Sequence, residues 1–157
     1  MHAGRGLAIY TGHASPLSWA GAPALLHTND VRVLDSGDRP FVALEMTCYT
    51  GFFHGPRDAL AETLLRAEGG AVASWASSGQ SMVRGQDVLL EQLLATFLAD
   101  TKEAVTLGQA ILAAKLHLYG TGAGIYGEAL DTFHLFGDPS LLMREAAPPP
   151  TPTPAST

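Results

Sequence analysis

The chain has 157 residues, 46% of them hydrophobic and 15% charged, which is enough apolar content to bury one core. Its formal net charge of -6 would repel phosphate backbones, and no Lys/Arg cluster overrules that, so nucleic-acid binding is excluded. No apolar run reaches the roughly 18 residues of a membrane span, and no signal peptide is visible.

The first predicted element is a strand over residues 6–11, ending at Gly12-His13 and read as buried on both faces. The chain enters it almost at once, as expected for the C-terminal part of a longer protein. Residues 14–23 read as loop, with Pro16, Gly21 and Pro23 as breakers. Thr28-Asn29-Asp30 then starts a short helix over 31–34, stopped by Gly37-Asp38. A second strand covers 41–47, with Cys48 at its C-terminal end. After a loop over 49–56, Asp58 is the expected N-cap of a helix containing Leu60, Leu64 and Leu65, and Gly69-Gly70 ends it.

A third strand spans 71–75, followed by the polar loop Ser77-Ser78-Gly79-Gln80-Ser81. Helices are expected over 86–98 and 107–118, the latter capped by Thr106. Residues 119–127 read as a glycine-rich segment with no phosphate-binding pattern, since no Gly-Lys-Ser/Thr follows. A short strand over 133–136, the turn Gly137-Asp138-Pro139-Ser140 and a last strand over 141–143 complete the domain. From Ala146 onward the Pro/Thr-rich run cannot form a core and reads as a linker or tail.

Two strands thus end in a potentially reactive side chain. Thirty-five residues separate His13 from Cys48, room for one crossover with a short helix, which makes the strands parallel and adjacent. Sites in open α/β sheets form outside the carboxyl ends of strands, so both residues are expected on one edge. A thiol is mostly protonated at neutral pH, and its thiolate is the nucleophile. An imidazole beside it can take that proton and pass it to a leaving amine. Gly12 and Ala14 are small, and the backbone N–H groups of Ala14 and Cys48 are positioned as oxyanion donors. The plainer alternative is a loop-satisfying His and a buried thiol. Cys48 is the one cysteine, so no internal disulfide forms.

The stretch Ile9-Tyr10-Thr11-Gly12-His13-Ala14-Ser15, with Trp19 downstream, resembles the histidine motif of gingipain-type cysteine peptidases. Met46-Thr47-Cys48-Tyr49-Thr50-Gly51-Phe52-Phe53 is similar to their cysteine motif. The same order of strand, Gly-His, strand and Cys marks the wider clan with caspases and legumains. The likeness continues through Leu60 to Leu65, Gly69 to Ala73, Trp75 to Ser78, Arg84 to Asp87, Thr106 to Ala110 and Leu135 to Leu141. It covers about residues 6–144. The chain departs from the family at Ala14, usually Gly, and at Thr47, commonly Ala. The family's catalytic domain has further strands before the histidine strand. They carry an acid that orients the His and, in the arginine-specific members, the acid that reads the substrate.

The resemblance implies an α/β fold: a caspase-like three-layer α/β/α sandwich with a mainly parallel sheet. Residues 1–145 would be its C-terminal portion, lacking the N-terminal strands, with 146–157 as the tail. It implies a cysteine endopeptidase acting through a thioester acyl-enzyme on a peptide or protein substrate, with a missing N-terminal segment of the same domain as partner. No cofactor is implied, and a structural calcium ion only by resemblance. The tail and the family point to an extracellular or cell-surface protein. The alternatives are a non-catalytic or truncated surface module with a relic dyad, and a transpeptidase using the same two residues.

Trp75, Ser77, Ser78, Gln80 and Met82 are candidates for the substrate pocket, against a plain reading of core and loop. His54 is a less favoured general base. His2, His27, His117 and His134 lack metal-ligand spacing. Odd–even counting puts Glu45 on the opposite strand face from Cys48, where an ion pair or strand-end exposure is expected.

Overall fold

The structure is a computed structural model that describes residues 6–36, 40–99 and 103–144. The expected Gly37-Asp38 stop, His2 and the Pro/Thr tail lie outside the described residues. In chain order the elements are β1 (Gly6–Thr11), β2 (Ala14–Ser15), β3 (Ser18–Trp19), β4 (Leu26–His27) and α1 (Thr28–Val31). They continue with β5 (Phe41–Met46), α2 (Leu60–Arg66), β6 (Ala71–Ser77) and α3 (Val83–Leu98). The chain then forms β7 (Val105–Thr106), α4 (Leu107–Thr132), β8 (Phe133–Gly137) and β9 (Leu142–Arg144).

Four strands make the main sheet in the order β1-β5-β6-β8. β1, β5 and β6 run parallel, and β8 is antiparallel to β6. Alternation along β5, and along β6 after a register shift between Ala71 and Ala73, sorts side chains to two faces. Val42, Leu44, Met46, Ala73 and Trp75 pack with Leu89, Leu93, Leu107, Ala114 and Leu118 of α3 and α4. Ala43 and Ala71 pack on the other face with Val31, Leu60 and Leu64 of α1 and α2. Helices on both faces of a mainly parallel sheet give the expected three-layer α/β/α sandwich.

β1 differs from its expected burial. Leu7 and Ile9 are 39% and 43% exposed, because β1 is an edge of the sheet among the described residues and only β5 flanks it. The loop expected over 14–23 holds β2 and β3, which with β4 form a small antiparallel sheet. Two-residue strands carry no period long enough to read from sequence. α1 starts earlier than expected, at Thr28, because the His27 imidazole accepts the Asn29 N–H and the Asp30 carboxylate accepts the His27 N–H. α2 is capped at Ala59, not Asp58: Glu62 accepts the Ala59 N–H at 2.9 Å, while Asp58 pairs with Arg66 at 2.7 Å on the surface.

Thr106 caps α4 as expected, its hydroxyl accepting the Gln109 N–H. The glycine-rich segment beyond it is helical and not a loop. Helical dihedrals break at Tyr126, and there the chain turns back. A straight helix would set residues 115 and 130 roughly 22 Å apart, yet Lys115 Nζ donates to the Leu130 carbonyl at 2.8 Å. The returning turns pack on α3 at Gly85, where a Cβ would meet Tyr126 and Ala129.

Candidate active site at the sheet edge

β1 and β5 are in parallel register through Thr11 and Met46, so Gly12-His13 and Thr47-Cys48 leave the sheet side by side at one edge. A hydrogen bond locks the two exits together: the buried Thr47 hydroxyl donates to the Gly12 carbonyl at 2.6 Å. The Thr47 side chain thus ties one strand end to the other.

Gly12 has φ +146°, and a Cβ there would lie 2.9 Å from the Tyr10 hydroxyl. That hydroxyl donates to the His13 carbonyl at 2.7 Å, and the Ala20 N–H donates to the same carbonyl at 2.9 Å. The glycine before the histidine is therefore required by backbone conformation and by a close approach. Gly12→Ala is expected to cost about 1–3 kcal/mol, read as a lower thermal midpoint. An unchanged midpoint would mean the loop accommodates the methyl group freely.

The His13 side chain is exposed, and no side chain among the described residues hydrogen-bonds its imidazole. Cys48 is half-buried. Its thiol points to the Ser81 carbonyl at 3.6 Å, with the Gln86 amide nitrogen 4.0 Å from the sulfur. Gln86, at the start of α3, donates to both the carbonyl and the hydroxyl of Ser81. Sequence reasoning missed Gln86 as a neighbour of the thiol; its signal was only its place in the segment Arg84 to Asp87.

The Cys48 N–H donates to no backbone carbonyl among the described residues. The next residue, Tyr49, sits at φ +65°, a strained conformation for a non-glycine residue. Its N–H donates to the Gly79 carbonyl, and Gly51 N–H donates to the Ser77 carbonyl. These bonds stitch the cysteine loop to the loop after β6. Gly51 is needed there, since a Cβ would press on Phe136 and Ala76.

The pocket candidates separate on burial. Trp75 is fully buried and packs edge-on against Phe133, so it belongs to the core and not to a pocket wall. Ser77 is also buried, its hydroxyl donating to the Gly79 carbonyl. The strand runs two residues further than expected and carries both inward. Gln80 and Met82 are exposed on the loop that approaches the thiol, and Ser78 is half-buried beside His134.

Three other described histidines have partners elsewhere. His54 packs its ring on Phe52 and Phe53. His27 caps α1, and His134 meets Ser78 at 3.0 Å, its pKa lowered by burial and then by Lys115. Among the described residues no group of three or more His, Cys, Asp or Glu gathers to hold a metal ion. An open cleft beside α1 and α2, lined by His27, Arg32, Arg57 and Arg66 among others, includes neither His13 nor Cys48.

Glu45 corrects the expected ion pair or exposure. It is fully buried on the α1/α2 face. Trp19 Nε1 donates to its Oε2 at 2.7 Å, and the Ser74 hydroxyl donates to its Oε1 at 2.5 Å. Burial raises its pKa from 4.5 to about 7, opposed by hydrogen bonding from Ser74, then Trp19, then Thr50. The Thr50 hydroxyl only pulls from nearby: it is buried without a formed hydrogen bond.

The fold and site define a caspase-like α/β/α sandwich, with a histidine and a cysteine on one sheet edge. The profile of Peptidase family C25 matches residues 1–144, and the chain belongs to this family of gingipain-type cysteine peptidases. Gingipain R2 of Porphyromonas gingivalis (strain ATCC BAA-308 / W83) is 32% identical over 94% of this chain and 21% of its own length. Gingipain R1 of Porphyromonas gingivalis is 31% identical over 94% of this chain and 15% of its own. The crystal structure of the Arg-specific cysteine proteinase gingipain R superposes with a TM-score of 0.71 at 30% identity, covering 90% of this chain and 34% of that one. The complex of Porphyromonas gingivalis RgpB pro- and mature domains gives 0.73 at 30% identity. The chain thus spans about a fifth of the first curated relative and a third of the solved chain.

Proposed function

We propose that the chain carries the His/Cys-bearing part of a cysteine endopeptidase, with Cys48 as nucleophile and His13 as general base. The observation that carries this reading is the Thr47–Gly12 hydrogen bond, which holds the two strand exits together so that His13 and Cys48 follow side by side. His13 takes the thiol proton, and the thiolate attacks the scissile carbonyl carbon. The backbone N–H groups of Ala14 and Cys48 hold the oxyanion, a role supported by the uncommitted Cys48 N–H. Collapse breaks the C–N bond, and His13 gives its proton to the departing amine. Water, deprotonated by His13, then cleaves the thioester and returns the thiol. Ser78, Gln80 and Met82 border the substrate beside Cys48, and no cofactor takes part.

Residues 1–145 form the C-terminal portion of the catalytic unit, and 146–157 tether it outside the cell or at its surface. The family match over residues 1–144 supports a catalytic part that ends near there. No helix among the described residues is long and apolar enough to cross a membrane.

Iodoacetamide tests the dyad. At pH 7 Cys48 is expected to label faster than a free thiol, and His13→Ala is expected to slow labelling. Equal rates in both variants would mark Cys48 as an inert thiol and leave a non-catalytic surface module.

A further inference from the structure

A buried carboxyl group is costly unless its neighbours use it, and the proposed mechanism gives Glu45 no task. Its contacts lead to the histidine loop. Tyr10 and Glu45 are register partners on β1 and β5 and share a sheet face. Trp19 donates to Glu45 and stacks flat on Tyr10, with ring centroids 5.0 Å apart and planes 5° apart. The Tyr10 hydroxyl donates to the His13 carbonyl and accepts the Ala20 N–H, each within 2.9 Å. It therefore grips the main chain at both ends of the β2–β3 hairpin. A continuous path runs from a buried acid, through an indole and a phenol, to the backbone of the proposed base.

We propose that Glu45 is a positioning residue: through Trp19 and Tyr10 it fixes the His13 backbone beside Cys48. This rests on the dyad reading above. Ser74, held to the second carboxyl oxygen, keeps the acid from turning away from Trp19. The raised pKa of Glu45 reflects how completely the carboxyl is withdrawn from water. No charged group contributes to that shift, so the path runs through hydrogen bonds and stacking, not through an ion pair.

The test is a double-mutant cycle on the full chain, read as the iodoacetamide labelling rate of Cys48 at pH 7. Glu45→Ala is expected to slow labelling about tenfold, the scale of a sub-ångström displacement of a catalytic group. In a His13→Ala background the same change is expected to have no further effect. Glu45→Gln keeps an acceptor for Trp19 Nε1 and is expected to retain most of the rate. Trp19→Phe keeps the stack on Tyr10 but loses the donor, and it decides the matter if Glu45→Ala does not fold. A Glu45 effect of equal size with and without His13 would make the residue merely structural and overturn the proposal, as would no effect at all. If His13→Ala slows labelling and the Glu45 and Trp19 variants do not, only this proposal falls. If His13→Ala itself changes nothing, the dyad reading falls and this one with it.

Discussion

Cys48→Ala and His13→Ala are each expected to reduce peptide cleavage by about 10⁴-fold or more, measured with a mixed peptide library on the complete catalytic unit. Either change removes a participant in every step, since the thiolate makes the new bond and the imidazole moves each proton. The 157-residue chain alone is expected to cleave poorly. Among the described residues no strand pairs with the outer edge of β1, and Leu7 and Ile9 are partly exposed, which favours association over a soluble monomer. Its His13 imidazole has no hydrogen-bonding side chain among the described residues. Loss of a group that orients a catalytic histidine costs about 10⁴-fold in the serine triad. Supplying the further strands that a complete catalytic unit of the family would add beside β1 is therefore expected to raise the rate by orders of magnitude. A soluble, monomeric 157-residue chain that cleaves at an ordinary peptidase rate would refute the fragment reading. A completed unit inert toward the whole library would refute the peptidase reading.

Glu45→Gln is expected to remove a large pH dependence of stability. The unfolded carboxyl titrates near 4.5 and the folded one near 7. Below 4.5 both states hold the proton, and the fold carries no buried charge. Between the two values the unfolded state releases its proton while the folded state keeps it, so stability falls as pH rises. Above about 7 the folded state must bury the carboxylate, and the loss is complete, on the order of 3 kcal/mol. The wild type is thus expected to lose stability from pH 4 to pH 8 relative to Glu45→Gln. The difference in thermal midpoint between the two should widen by about 10 °C across that range. Parallel midpoint curves would show that Glu45 titrates near its ordinary value.

The sequence by itself determined where the main strands lie along the chain and which two end in His13 and Cys48. Short apolar runs bounded by glycine, proline and polar residues record those elements locally. It also determined the Thr106 cap and the motifs that carry the family, because each is a pattern within a few residues. What the tertiary structure decided depends on partners far along the chain. Trp75 faces the core because β6 extends to pair with β8, more than fifty residues later. Residues 119–125 are helical despite their glycines, and after the break at Tyr126 the chain packs back against Gly85. The β2–β4 sheet is held by pairings of two residues, too short for any period to appear. Glu45 read as exposed or ion-paired because a carboxylate is rarely buried. Its donors, Trp19 and Ser74, lie 26 and 29 residues away, and only the packed sheet brings them to it.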